Sequence, residues 1–156
     1  MRLTIICIGK TKEGFIRDGI AKYARYLKPY AAVELKELKE EKINDLKEAP
    51  LVRKKEAEKI FNVLSKGSWI IALDERGQGF TSHAFASLLN KTMESSMREL
   101  TFIVGGAMGL DESVLQRANM VLAISRWTLT HEMALLVLLE QLYRGYTIIK
   151  GKRYHY

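Results

Sequence analysis

The C-terminal tail of this 156-residue chain combines basic, aromatic and imidazole side chains, with no acidic side chain from Arg144 onward. Cationic side chains contact phosphates, a tyrosine ring can stack on a base, and a histidine exchanges a proton near neutral pH. These residue types predict RNA binding by Arg144, Lys152 and Arg153, and a catalytic role beside a target base for Tyr154 and His155. The alternative is an ordinary frayed terminus made of surface residues.

Two loops have residue types suited to holding a small ligand. Residues 105–110, Gly-Gly-Ala-Met-Gly-Leu, follow an apolar run, and glycines there let the backbone approach a ligand closely. Residues 124–131 are rich in hydroxyl groups and contain one arginine and one tryptophan. The first loop is also compatible with a plain strand-to-helix turn. The second predicts either a ligand-binding loop with an aromatic or apolar slot, or an ordinary loop in which Thr130 caps the next helix.

Motifs for other chemistries are incomplete. The turn at residues 9–14 begins like a phosphate-binding loop, but Phe15 and Ile16 stand where lysine and serine or threonine are required. Residues 131–135 contain the first histidine of a zinc-protease motif, while Leu135 takes the place of the second. The Gly-x-Ser-x-Gly motif of serine hydrolases is missing from the sequence. We therefore expect no metal site, and the sequence disfavours metal-dependent and serine hydrolysis.

Composition narrows the class of protein. Hydrophobic residues make up 47% of the chain, and no apolar run approaches the roughly 20 residues that span a bilayer. A net charge of +7 favours a polyanionic partner. The single cysteine, Cys7, cannot form an internal disulfide and is expected to be a small buried hydrophobe. Together with an N-terminus that lacks a signal-peptide pattern, this predicts a cytoplasmic protein without a membrane partner.

Apolar runs alternate with amphipathic segments along the whole length. This alternation predicts a single α/β domain over residues 1–156, with a mostly parallel sheet and helices on both faces. In such sheets ligands bind beyond the carboxyl ends of the strands, which places both loops and Leu73 at the expected site. Strands are predicted at residues 3–8, 33–38, 68–73, 100–104 and 120–124, and helices at 14–27, 51–64, 82–93, 111–118 and from 132 onward.

The last predicted helix is apolar nearly all round. Residues 132–145, Glu-Met-Ala-Leu-Leu-Val-Leu-Leu-Glu-Gln-Leu-Tyr-Arg-Gly, leave no broad polar face for water. A helix of this kind must be covered by more than the sheet of its own domain. The helix therefore predicts self-association.

Several segments together resemble the RlmH family of bacterial rRNA methyltransferases, a branch of the SPOUT superfamily. The resemblance covers the whole length, and its specificity comes from the order and spacing of the segments. They are residues 3–10 (LTIICIGK), 72–74 (ALD), 102–110 (FIVGGAMGL), 128–131 (TLTH), 139–144 (LEQLYR) and 154–155 (YH).

The resemblance implies a fold, a donor and an acceptor. It implies a C-terminal trefoil knot, a homodimer, S-adenosylmethionine as methyl donor, and N3 of a pseudouridine in the large-subunit rRNA of assembled ribosomes as acceptor. By position, Tyr154 and His155 match the family's pair near the acceptor. The residues that match its donor site are Leu73, Gly105, Ile124, Ser125, Arg126, Trp127, Thr128 and Leu129.

Two alternative functions stay open at this level. Relatives often carry arginine where this chain has Leu135, which keeps open a non-catalytic ribosome-binding or assembly factor that retains the fold. A generic nucleotide- or NAD-binding enzyme would use the glycines of residues 105–109. The lack of a convincing ribose-binding acid about 20 residues further on counts against it.

Overall fold

The computed structural model describes residues 1–154 and alternates strands with helices along that length. The strands are Arg2–Ile8 (β1), Ala32–Leu38 (β2), Trp69–Gly79 (β3), Glu99–Val104 (β4) and Met120–Ala123 (β5). The α-helices are Gly14–Leu27 (α1), Ala49–Val63 (α2), Ser82–Glu94 (α3), Glu112–Arg117 (α4) and His131–Ile149 (α5). A short 3-10 helix, Leu46–Glu48, precedes α2.

The strands lie parallel in one sheet, in the order β2-β1-β4-β3-β5. The larger core cluster joins one face of the sheet to α1, α3 and α5, and a smaller cluster joins the other face to α2 and α4. This confirms the predicted α/β fold with helices on both faces of a parallel sheet. It also brings the carboxyl ends of β3, β4 and β5 to one edge of the sheet.

Burial along the strands explains their sequence patterns. The central strands β1 and β4 are buried on both faces, as their continuous apolar runs predict, whereas the charged strand β2 lies at an edge and alternates in exposure. Cys7 in β1 is buried, and burial is the main cause that raises the pKa of its thiol to about 12. The thiol is therefore protonated at neutral pH, and Cys7 packs as a small hydrophobe, as expected.

Strand β3 continues past Leu73, where the sequence predicted a loop over residues 74–79. Strand β5 pairs with Leu73 and pairs again with Gln78, so the residues between them bulge out of β3. Gly77 permits this bulge, because a Cβ at that position would lie 2.6 Å from the carbonyl oxygen of Val121. The polar, glycine-containing segment does not look like a strand, and only its pairing with β5 makes it part of the sheet.

Helix α5 begins where the sequence predicted. The Thr130 hydroxyl accepts a hydrogen bond from the backbone N–H of Met133 at 3.2 Å, which confirms the predicted cap. On the inner side of the helix, Leu135 is fully buried in the core cluster shared with α1 and α3. On the outer side, Met133 and Val137 are only partly buried within one chain. Apolar surface of α5 thus stays partly accessible in the single chain.

Within residues 1–154, no helix combines the length and the apolarity needed to cross a lipid bilayer. The single domain over residues 1–156 and the C-terminal trefoil knot stay predictions.

Candidate functional site

A cavity of about 520 Å³ opens between the bulge of β3 and the carboxyl ends of β4 and β5. Residues 73–76 of β3 and the loops after β4 and β5 form its walls, and the first turn of α5 closes one side through His131 and Ala134. Seven of the eight residues predicted to hold the donor line it: Leu73, Gly105, Ile124, Ser125, Trp127, Thr128 and Leu129. The eighth, Arg126, is exposed to solvent and is not among the lining residues.

The glycine loop after β4 makes a tight turn against the cavity. The backbone N–H of Gly109 donates to the carbonyl of Gly106 at 3.0 Å, and Gly109 has a φ of +77°, which an L side chain rarely adopts. From α2, the Arg53 guanidinium donates to the carbonyl of Met108 at 3.4 Å. The turn is therefore fixed both by its own backbone and by a side chain from α2.

A hydrogen bond joins the loop after β5 to the bulge of β3. The Thr128 hydroxyl donates to the Glu75 carboxylate at 2.8 Å, although the two residues are 53 positions apart. The backbone N–H of Trp127 donates to the Ser125 hydroxyl at 2.9 Å. These two contacts hold the backbone of the loop at Trp127 and at the residue that follows it.

Charged side chains line the cavity beside the apolar ones. Arg76 donates two hydrogen bonds from its guanidinium to the Asp74 carboxylate, at 2.8 and 3.0 Å, and Arg76 is the main cause that lowers the pKa of Asp74. Glu75 and Glu112 add two further carboxylates to the lining. The sequence placed the loop after Leu73 at the ligand edge of the sheet, but it assigned a role to none of these four side chains.

The first turn of α5 contacts the loop before α1. The Glu132 carboxylate accepts hydrogen bonds from the backbone N–H groups of Lys12 and Glu13, both at 3.1 Å. These two bonds are the main causes that lower the pKa of Glu132. His131 lines the cavity, and its Nε2 atom is buried with no hydrogen-bond partner among residues 1–154. Glu132 therefore joins the loop before α1 to the helix that carries His131.

The C-terminal tail docks on the tyrosines of α1 and α5, away from the cavity lining. The Tyr154 ring meets the Tyr143 ring edge-on at 4.7 Å between centroids, and its hydroxyl lies 3.3 Å from both the Tyr23 hydroxyl and a Glu140 carboxylate oxygen. In the described part of the chain, no residue after Ala134 lines the cavity.

The predicted RNA-binding side chains differ in their surroundings. Arg144 forms an ion pair with Glu140 and lies over the Tyr154 ring at 4.8 Å. Lys152 is exposed and lies 5.0 Å from the Tyr30 ring centroid, and Arg153 is exposed. The predicted catalytic residue His155 lies outside the described residues.

Docking changes the acidity of the Tyr154 phenol. Burial is the main cause that raises its pKa, and the hydrogen bond with Tyr23 and the nearby Glu140 carboxylate act in the same direction. The phenol therefore stays protonated at neutral pH and is a hydrogen-bond donor rather than a base.

Comparison with known sequences assigns the chain to a family. The family described as "Predicted SPOUT methyltransferase" matches residues 1–155. The chain belongs to the SPOUT methyltransferase family. A ribosomal RNA large subunit methyltransferase H from Syntrophotalea carbinolica is 45% identical over 99% of both chains. One from a Geobacter species is 40% identical over 100% of this chain and 99% of its own. The resemblance to the RlmH family is thereby confirmed.

Solved structures support the family assignment at the level of the fold. A probable methylase family protein from Haemophilus influenzae superposes with a TM-score of 0.54 at 17% identity, over 99% of this chain and 70% of its own. A probable methyltransferase from Bordetella pertussis gives a TM-score of 0.57 at 14% identity, over 92% and 95%. At these identities the likeness concerns the fold alone.

Proposed function

We propose that this SPOUT-family protein transfers a methyl group from S-adenosylmethionine to N3 of a pseudouridine in large-subunit ribosomal RNA. The observation that carries the proposal is the cavity between the bulge of β3 and the carboxyl ends of β4 and β5, whose lining includes seven of the eight family-matched donor residues. The names of the full-length relatives supply the substrate class, ribosomal RNA of the large subunit.

The residues present fit S-adenosylmethionine. The cavity volume of about 520 Å³ is in the range typical of small-molecule sites, roughly 300–1,000 Å³. Backbone groups at Leu73 and residues 124–129 would hold the adenosine. The three carboxylates of Asp74, Glu75 and Glu112 outnumber the two guanidinium groups of Arg53 and Arg76 in the lining, which favours a cationic ligand. When bound, S-adenosylmethionine supplies a methyl group on a positively charged sulfur.

The chain's own residues would prepare the acceptor nitrogen. N3 must lose its proton as it takes the methyl group, and we assign His155 as the group that receives this proton. Tyr154, as a protonated phenol, would donate a hydrogen bond to the base and hold it in place. Arg144, Lys152 and Arg153 would contact phosphates around the target. The largest contribution would come from holding the acceptor nitrogen in line with the methyl group.

A homodimer is part of the proposal. In one chain the tail docks on Tyr23 and Tyr143, while the cavity lies at the first turn of α5. A second copy would cover the partly buried outer side of α5, and it could bring its own tail to the first copy's cavity. We place this activity in the cytoplasm, where ribosomes are found.

The direct test is methyl transfer to ribosomes that carry the unmethylated pseudouridine. The protein is incubated with 70S ribosomes and tritiated S-adenosylmethionine, and the modified nucleosides are identified by mass spectrometry. We expect 3-methylpseudouridine at one position of the large-subunit rRNA. Its absence, with an active relative as positive control, would contradict the proposal.

A second candidate is a non-catalytic ribosome-binding or assembly factor. Leu135 favours it, because an apolar side chain that is fully buried in the core stands where relatives often carry arginine. Calorimetry separates the two candidates, since a binding factor would bind ribosomes without binding S-adenosylmethionine. Competition by NAD for the same cavity would instead indicate a dinucleotide-binding enzyme.

A further inference from the structure

Among residues 1–154 of the single chain, the Trp127 indole is the most exposed of the large hydrophobic side chains, with 82% of its surface accessible to solvent. Single exposed hydrophobic residues are common on protein surfaces, so exposure alone decides nothing. The position of Trp127 is more informative, because this residue also lines the cavity proposed for the methyl donor. A large flat ring thus stands at the entrance of the site with most of its surface free.

We propose that Trp127 is a positioning residue for RNA, on which an unpaired base next to the target nucleotide stacks. The inference rests on the proposed rRNA methyltransferase function. It reassigns Trp127 from the donor slot expected from the sequence to the acceptor side of the cavity. Aromatic side chains stack on unpaired bases irrespective of their identity, because every base presents a flat π face.

The loop around Trp127 holds the ring without burying it. The backbone N–H of Trp127 is bonded to the Ser125 hydroxyl at 2.9 Å, and the next residue, Thr128, is bonded to Glu75 at 2.8 Å. Both contacts are made by groups other than the indole, so they restrict the backbone and leave the ring accessible. A ring held in this way loses little conformational freedom when a base stacks on it.

The residue that precedes Trp127 in the chain carries a charge that suits a nucleic acid better than an apolar partner. Arg126 is exposed, and the structure gives it no hydrogen bond or ion pair within residues 1–154. A guanidinium next to a stacked base is placed to contact the adjoining phosphate. Stacking and phosphate contact on neighbouring residues are the two elements of single-strand recognition.

The test is the replacement of Trp127 by alanine, with two comparison variants. Trp127→Phe keeps a flat ring. Leu46→Ala removes another exposed apolar side chain, 76% accessible, that does not line the cavity. For each variant we would measure kcat and KM for 70S ribosomes, ribosome binding by co-sedimentation, donor affinity by calorimetry, and the association state by analytical ultracentrifugation.

We expect Trp127→Ala to raise both KM and the dissociation constant for ribosomes about tenfold, the fold-change that corresponds to the loss of one base–aromatic stack. Donor affinity should stay within about twofold of wild type, because residues 124–129 would hold the donor through backbone groups that the substitution keeps. The kcat at saturating ribosomes and the association state should also stay within about twofold, a split that general misfolding would not give. Trp127→Phe should recover most of the ribosome affinity, and Leu46→Ala should behave as wild type.

Three results would overturn the inference. The first is an unchanged ribosome affinity in Trp127→Ala. The second is a loss of donor affinity as large as the loss of ribosome affinity, which would mean that Trp127 covers the donor. The third is dissociation of the protein into monomers, which would place Trp127 between subunits. If the wild-type protein binds ribosomes but transfers no methyl group, the proposed function fails while co-sedimentation still tests the role of Trp127.

Discussion

Two buried threonines differ in whether their hydroxyl group has a hydrogen-bond partner. Thr4 in β1 and Thr101 in β4 lie directly opposite each other in the sheet, and both are almost fully buried. The Thr4 hydroxyl donates to the Glu99 carboxylate at 2.8 Å, whereas the Thr101 hydroxyl has no partner within residues 1–154. A buried hydroxyl without a partner destabilises the folded state.

We expect Thr101→Val to raise the free energy of unfolding by about 1 kcal/mol, because it removes the unsatisfied group and keeps a β-branched side chain. The matched change Thr4→Val should lower it by about 1 kcal/mol, since Glu99 then loses its donor. Urea denaturation of both variants measures the two effects. Equal effects of the same sign would show that the hydroxyl contacts do not decide them.

Glu132 gives a prediction about pH. Its two backbone hydrogen bonds favour the ionised carboxylate, so its pKa in the folded state lies below the ordinary value of 4.5. The stability this carboxylate contributes is complete above that ordinary value, and it is lost as the pH falls through the lowered folded-state pKa.

Glu132→Gln should therefore be less stable than wild type at pH 7, and the difference should shrink as the pH falls through 4.5 and below. Unfolding measured by urea from pH 7 to pH 3 tests this. The exposed carboxylate Glu58, replaced in the same way, should show no such convergence. A wild-type advantage that persists at pH 3 would mean that shape, not charge, explains the contribution of Glu132.

At the scale of elements, the bulge in β3 depends on one glycine. A Cβ on Gly77 would meet the Val121 carbonyl oxygen at 2.6 Å, whereas a Cβ on Gly79 would meet no atom within 4 Å. The bulge carries Glu75, which bonds Thr128 on the far loop of the cavity. Displacement of this backbone would therefore disturb both the β3–β5 pairing and the cavity.

We expect Gly77→Ala to lower the free energy of unfolding by about 1–3 kcal/mol and to weaken donor binding. Gly79→Ala should change stability by less than about 0.5 kcal/mol. Thermal unfolding and donor calorimetry on both variants provide the measurement. A Gly77→Ala protein with wild-type stability and affinity would show that the bulge accommodates a side chain.

Local patterns predicted most elements, and long-range pairing accounts for the misses. Helix α1 was predicted at residues 14–27, and it has those bounds, because apolar spacing and a following proline define it. Helix α3 was predicted at residues 82–93 and spans Ser82–Glu94, because the Thr81 hydroxyl caps it by accepting a hydrogen bond from the backbone N–H of Ala84. The second half of β3 was missed because its partner strand lies about 40 residues further along the chain.

The candidate site was predictable only where the family pattern or strand ends marked it. Positions at the predicted strand ends, such as Leu73 and Gly105, line the cavity because parallel strands run toward the same edge of the sheet. Arg53 could not be found in this way, since it reaches the glycine loop from α2, and its bond to Met108 spans 55 positions of the chain. The docking of Tyr154 on Tyr23 was equally hidden, because a contact across 131 positions leaves no local signal.

At the scale of the whole molecule, the outer side of α5 decides whether the chain pairs with a second copy. Met133 and Val137 are only partly buried on this side, and Val137 also lines a second groove of about 310 Å³ between α3, β5 and α5. Covering this apolar surface would stabilise a dimer through the hydrophobic effect.

We expect wild type to sediment as a dimer at micromolar concentration. Val137→Glu should raise the dimer dissociation constant at least about tenfold, because it would bury a carboxylate without a partner. Asn62→Glu introduces the same group at an exposed position of α2, on the opposite face of the sheet, and should leave the dimer intact. A monomeric wild-type protein would refute the pairing outright.

The strand order β2-β1-β4-β3-β5 has a consequence for how the protein is made. Both neighbours of β3 follow it in the chain, so during translation its apolar half leaves the ribosome with no strand to pair with. Residues 70–72 are almost completely buried in the folded protein, yet they have no neighbouring strand to pair with until β4 has been synthesised. We expect nascent chains that stop before β4 to bind chaperones or aggregate, and this vulnerability to end only when β4 emerges.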